Sequence, residues 1–268
     1  MHKVVVITGG SSGLGKAMGC FLHEKGYRVY GTSRDPEKYN EKLPFSLISM
    51  DVRDKESVEK AIQSVLHKEK RIDILINNAG IGITGPVEEI PYEEMEAVFK
   101  TNLYGPVTVM KAVLPAMRMQ KQGHIINITS IAGYMGLPYR GLYSATKGAL
   151  ELVTEALRME VKSFGIHVSN LAPGDFATNI AAGRYHAPAI ENSPYYTSYS
   201  HSLKLMDEHV DEGGDPIKVA RKVYRIINTK KPGIHYRSGA FMQKLSVVLK
   251  RVLPPKFFEK LLCNHYKL

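Results

Sequence analysis

Residues 3–15 read KVVVITGGSSGLG, an apolar run of strand length that ends in a turn containing four glycines and leads into a helical pattern from Lys16 to Lys25. A strand that is apolar along its whole length predicts burial on both faces, as in a parallel sheet. The glycines, with Ser11 and Ser12 between them, let the backbone approach a bulky anion. The free N–H groups and dipole at the helix start favour negative charge there. Gly9, Ser11, Ser12, Gly13, Leu14 and Gly15 are therefore candidate pyrophosphate contacts, although an unliganded tight turn would look the same in this stretch alone. Tyr27–Thr32 follows at the distance expected for a strand–helix–strand unit.

The alternation continues along the chain. Phe45–Met50 predicts a third strand closed by Asp51 and Val52, residues 55–67 a helix, and Ile74–Ile76 a fourth strand followed by Asn77, Asn78, Ala79 and Gly80. Tyr92–Met119 predicts helix, broken near Gly105 and Pro106, with Asn102 inside it. His124–Thr129 predicts a fifth strand with Ser130 at its carboxyl end. A helix from Tyr143 to Ser163, a sixth strand Ile166–Leu171 ending in Pro173 and Gly174, a helix Pro216–Asn228 and a short last strand Ile234–Arg237 complete the pattern. In an open parallel sheet, ligands bind in the crevice outside the carboxyl ends of the strands, where Asn78, Ser130 and Gly174 are expected. Residues 175–212 break the alternation with a long polar and aromatic segment. Loops of that length are usually functional, and the expectation is a lid over a substrate.

Tyr143 and Lys147 stand four residues apart in a predicted helix, so their side chains leave the same face one turn apart. A fixed cation beside a phenol favours the phenolate, which makes the phenol able to give or take a proton near neutrality. At the end of the second strand, dinucleotide-binding folds that choose NAD place an acid on the ribose, whereas an arginine accommodates a 2′-phosphate. The positions here are Ser33 and Arg34, so NADP(H) is favoured over NAD(H), with Asp35 keeping NAD open.

Read together and in order, these motifs resemble the short-chain dehydrogenase/reductase family over residues 3 to about 237. TGGSSGLG at Thr8–Gly15 fits the family's TGxxxGxG turn, NNAG at Asn77–Gly80 its fourth-strand motif, and YSATK at Tyr143–Lys147 its YxxxK. Ser130 precedes the tyrosine by 13 residues, Asn102 sits in TNLYG, and PGDFAT at Pro173–Thr178 matches the nicotinamide-side loop. The resemblance implies a Rossmann-type doubly wound α/β fold with a parallel sheet of about seven strands flanked by helices. It implies Ser130 holding a carbonyl oxygen, Tyr143 protonating it, Lys147 assisting the phenol and bonding the nicotinamide ribose, and Asn102 steadying a water in the proton path. It further implies cofactor contacts at Ser33, Arg34, Asp51, Val52, Asn78, Ala79, Gly80, Pro173, Gly174 and Thr178, no metal, and a homodimer or homotetramer.

The TSRD, NAGIGITGPVEE and GYMGLPYRGLYSATK stretches look most like the branch acting on hydroxysteroids, retinoids and long-chain lipid ketones. A long-chain keto sphingoid base, steroid or retinoid is the substrate class expected. A soluble 3-oxoacyl-thioester or sugar ketone reductase is the rival enzyme, and a non-catalytic NADP(H)-sensing protein the rival of another class.

The first strand begins almost at Met1 and no apolar run reaches spanning length, so the expectation is a cytoplasmic protein. Cys20 and Cys263 fit no metal or disulfide pattern and read as reduced thiols. The formal net charge is +10, but residues 231–268 hold eight Lys or Arg against one acid, Glu259. Nucleic acid is not favoured, since no aromatic platform or recognition motif accompanies the charge. Residues 1–239 are read as the dinucleotide-binding domain with its lid, and 240–268 as a basic amphipathic extension. In that extension Phe241, Met242, Leu245, Val248, Leu249, Val252 and Leu253, then Phe257, Phe258, Leu261 and Leu262, form one apolar face at helical spacing. That face either packs on the body or attaches the protein to the surface of an anionic membrane.

Overall fold

The computed structural model describes residues 2–39, 43–176, 183–211 and 214–268, with the backbone alone for 207–211. One sheet of seven strands comprises β1 Val4–Ile7, β2 Arg28–Ser33, β3 Ser46–Ser49, β4 Ile74–Asn77, β5 Gly123–Ile128, β6 Ile166–Pro173 and β7 His235–Ser238. Their spatial order is β3-β2-β1-β4-β5-β6-β7, with every pairing parallel. The order reverses between β1 and β4, and that switch point opens a crevice at the carboxyl ends.

Alternation along the strands divides the core. Val4 and Val6 of β1 join Leu75, Ile125 and Val168 beneath α2 (Lys55–Glu69), α4 (Gly105–Gln120) and α5 (Gly141–Glu160). Val5 and Ile7 point the other way, with Ile74, Ile76 and Ile126, against α1 (Gly13–Glu24) and α7 (Ile217–Ile227). Both faces are covered, which is why β1 is apolar throughout. The helical break expected near Gly105 is a turn of π-helix over Lys100–Tyr104 between α3 (Tyr92–Phe99) and α4. The extra residue in that turn redirects Asn102 into the protein, where it is fully buried.

Two expectations need correction. Residues 175–212 are not a long loop: they contain α6 (Tyr196–Asp211) and a two-residue strand, Tyr185–His186, paired with Ile83–Thr84. Tyr199 pins the segment from inside, while Tyr196 is exposed. Tyr199 is buried and its hydroxyl donates to the carbonyls of Thr84 and Ala187 at 3.2 and 3.0 Å. Tyr139 donates to Ser198 Oγ at 2.7 Å. Hydroxyl-bearing side chains at buried helical positions concealed the apolar period.

The single apolar face expected in the extension is divided between two directions. Helices α8 (Phe241–Val252) and α9 (Pro255–Tyr266) turn Val247, Leu249, Leu253, Phe258 and Leu262 onto Ile131, Met135 and Ala172 of the body. Phe241, Met242, Val248, Val252, Phe257 and Leu261 remain exposed.

Candidate active site

The glycine turn is built by close approach. Gly9 has φ +66°, and a Cβ at Gly15 would lie 2.1 Å from the Gly9 carbonyl oxygen, so only glycine lets α1 begin directly against the turn. Asn78 locks the arrangement by donating from Nδ2 to the carbonyls of Thr8 and Gly9 at 3.0 and 3.1 Å. Thr8 Oγ1 in turn accepts from the backbone N–H groups of Asn78 and Ala79. The ends of β1 and β4 are thereby held as one unit.

A cleft of about 400 Å³ runs from this turn across the sheet edge. It is lined by Gly9, Ser11, Ser12, Gly13, Leu14, Ser33, Arg34, Asp51, Val52, Asn78, Ala79, Gly80, Ser130, Tyr143, Lys147, Pro173 and Gly174. Two sequence candidates lie elsewhere: Gly15 stands behind the turn it makes possible, and Asn102 stands one layer back. A third, Thr178, lies outside the described residues. At the far end, Asp35 is paired with Lys38 at 3.1 Å. Asp51 is paired with Arg53 at 2.7 Å, and this bond holds its carboxyl below the usual carboxylate range. Both nearby acids are thus engaged by cations, and Arg34 is exposed on the cleft wall.

At the other end, α5 presents Tyr143 and Lys147 on one face, with Lys147 Nζ 5.9 Å from the Tyr143 ring centroid. Lys147 is buried and donates to the Ile128 carbonyl at 3.0 Å. Burial lowers its pKa, and the neighbouring Tyr143 works in the opposite direction. Ser130 caps the short turn Ile131–Tyr134, its Oγ accepting from the Ala132 N–H. That turn can press against α5 because Gly148 meets Gly133 there: a Cβ at Gly148 would lie 2.9 Å from the Gly133 carbonyl oxygen.

Asn102 accepts from Ile81 N–H and donates to Ile81 C=O, both at 2.9 Å, and also donates to Thr146 Oγ1 at 3.2 Å. Its amide fixes the wall after β4. The missing side chain of Gly80 leaves room beside it: a Cβ there would lie 3.2 Å from Asn102 Oδ1 and 3.4 Å from Lys147 Nζ. The glycine cradle, the donor on Lys147 and the exposed Arg34 guanidinium on the wall fit a nicotinamide dinucleotide. No group of three or more His, Cys, Asp or Glu among the described residues could hold a metal ion.

A second cavity, of about 960 Å³ and largely apolar, meets the cleft at Ser130, Arg140 and Gly174. Met135, Leu137, Leu205, Met206, Leu249, Phe258 and Leu262 line it. The extension closes one side. Gln243 of α8 donates to Asp175 Oδ2 at 2.7 Å, and Tyr266 of α9 faces Arg140.

Sequence reasoning did not single out Glu151, which continues the Tyr143, Lys147 series by one more turn of α5 and is buried. Thr129, next to Ser130, donates to Glu151 Oε1 at 2.9 Å. Glu155, one turn further along α5, and Tyr134, His235 and Arg237 from neighbouring elements surround it. Burial raises the Glu151 pKa to about 7, so the folded protein keeps a proton that the unfolded chain releases in the usual carboxylate range. The stability this gives is present in acid and lost as pH rises through about 7. Glu151→Gln, which needs no proton to stay neutral, is expected to gain about 2 kcal/mol over the parent above that pH and little at pH 5 or so. Urea unfolding of both proteins across this range checks it, and a difference that does not change with pH contradicts it.

Comparison with known proteins agrees with the geometry. The short chain dehydrogenase family model matches residues 3–188. The chain is 39% identical to the 3-ketodihydrosphingosine reductase of Bacteroides thetaiotaomicron over 96% of this chain and 95% of that one. A short-chain dehydrogenase from Streptomyces avermitilis superposes with a TM-score of 0.82 at 31% identity, covering 97% of both chains. ElxO, solved with NADP bound, superposes with a TM-score of 0.72 at 30% identity, over 88% of this chain and 97% of that one. The glycine cradle, the Ser130, Tyr143 and Lys147 cluster and these matches lead to one assignment: this chain belongs to the short-chain dehydrogenase family and is an oxidoreductase.

Proposed function

We propose that the chain reduces a ketone to a secondary alcohol, or runs the reverse oxidation, on a long-chain lipid-like substrate with NADP(H). The observation that carries this reading is the apolar cavity that meets the cofactor cleft at Ser130. A sugar would leave that lining unsatisfied, whereas a long hydrocarbon chain buries it. The likeness to a 3-ketodihydrosphingosine reductase supports a long-chain keto sphingoid base within this class.

When bound, the cofactor supplies the hydride. Ser130 Oγ–H donates to the substrate carbonyl oxygen, and the Tyr143 phenol gives that oxygen its proton as charge develops on it. Lys147, buried and anchored on the Ile128 carbonyl, stabilises the phenolate left behind and bonds the nicotinamide ribose. Asn102 positions the Ile81 wall, and the space at Gly80 between Oδ1 and Nζ is where a water returning the proton would sit. Leu205 and Met206 of α6 line the substrate cavity, which supports a covering role for this segment. Exposed Met119 on α4 and Leu152 and Met159 on α5 support a homodimer or homotetramer formed through those helices.

Arg34 sets the cofactor preference in this reading, because its guanidinium can bond a 2′-phosphate bidentately while Asp35 is held by Lys38. The test measures kcat/KM for NADPH and NADH with 3-keto lipids of increasing chain length. The expected result is preference for NADPH, lost in Arg34→Ala, and kcat/KM rising with chain length. Preference for NADH, or for short polar ketones, contradicts the proposal.

A further inference from the structure

The outward side of the C-terminal helices carries exposed apolar side chains on both α8 and α9. On α8, Phe241, Leu245, Val248 and Val252 follow the helical period along one stripe, with Phe241 72% and Val252 73% exposed. This stripe points away from Val247, which is fully buried on the side that packs against the body. On α9, Phe257 and Leu261 stand one turn apart, 52% and 40% exposed, while Phe258 faces inward. Packing on the body therefore accounts for one face of each helix and leaves the other uncovered.

Charge identifies what covers it. Lys244, Lys256 and Lys260 are exposed among these apolar residues. Lys250 and Arg251 lie at the sides, over the rings of Phe258 and Tyr134 at 5.2 and 6.0 Å. Glu259 is the single acid in residues 240–268. A second copy meeting this face by two-fold symmetry would set these cations against their own images, whereas an anionic lipid surface pairs with them and accepts the apolar side chains below its headgroups. The face is also continuous with the substrate cavity, since exposed Met242, Lys244 and Leu261 belong to both.

We propose that α8 and α9 dock the protein on an anionic bilayer surface, with the cavity mouth turned toward the lipid. No helix among the described residues is long and apolar enough to cross a membrane, so the contact is interfacial. Gln243, through Asp175, ties the docked helices to the turn that borders the cofactor cleft.

The test is vesicle sedimentation of the full chain with phosphatidylcholine alone or mixed with phosphatidylglycerol, at low and high salt. Truncation would expose the body under Val247 and Phe258, so the variants change exposed side chains only: Val252→Ser with Phe257→Ser, and Lys256→Glu with Lys260→Glu. The parent is expected to bind the anionic vesicles at low salt, and the charge-reversed pair to bind them at least about tenfold more weakly. The serine pair is expected to lose binding at either salt while keeping its circular dichroism. Three results overturn the proposal: no binding by the folded parent, equal binding to both vesicles, or either variant pair binding as the parent does. A parent dimer that becomes monomeric in the serine pair, with no lipid binding by the parent, assigns the face to a second copy and also overturns it.

Discussion

Tyr143→Phe is expected to lower turnover by about 10²- to 10⁴-fold while NADPH binds within about threefold of the parent, because only the proton donor is removed. The structure keeps this experiment clean. The Tyr143 ring packs with Ile83, Ala132 and Tyr199 and lies under the Arg140 guanidinium at 5.6 Å, and phenylalanine preserves these contacts. Fluorescence titration with NADPH and steady-state turnover measure the two quantities separately. A variant that binds NADPH and turns over within a few-fold of the parent would remove the phenol from the mechanism.

Gly15→Ala is the second large effect. The added methyl would lie 2.1 Å from the Gly9 carbonyl oxygen and 2.7 Å from Asn78 Nδ2. Both are held by the bonds that join β1 to β4, so neither can move without opening the cradle. The expected outcome is a loss of at least about tenfold in cofactor affinity, since the helix start moves off the pyrophosphate, together with about 1–3 kcal/mol of stability from overpacking. Gly136→Ala is the control, because nothing lies within 4 Å of the position its methyl would take. Calorimetric titration of both variants decides it, and equal affinities would show that the turn does not hold the cofactor.

Much of this architecture was legible in the sequence because its signals are local. Val4–Ile7 reads as a strand buried on both faces, and the glycines mark where backbone meets backbone. The i, i+4 spacing of Tyr143 and Lys147 puts them on one face of α5. Features set by tertiary contacts were hidden. An acid on a helix reads as solvated, and only the packing of Thr129 and β7 over α5 shows that Glu151 is inside. Tyr199 and Ser202 look like loop residues until α6 docks on Ile83 and Thr84, and then they form its buried face. The apolar residues of α8 and α9 read as one set, but which of them face Ile131 and Ala172 and which face outward depends on where the body lies. Asn102 was found by motif, yet the commitment of its amide to Ile81 follows from the π-turn, which has no evident signature in sequence.

The most direct test follows a label. With NADPH carrying deuterium on the transferred position of the nicotinamide and a long-chain 3-ketone as substrate, mass spectrometry of the lipid product should find one deuterium on the carbinol carbon with the parent protein. With Tyr143→Phe, product should be strongly reduced. Absence of labelled alcohol across a range of lipid ketones, from protein shown to bind NADPH, would contradict the account.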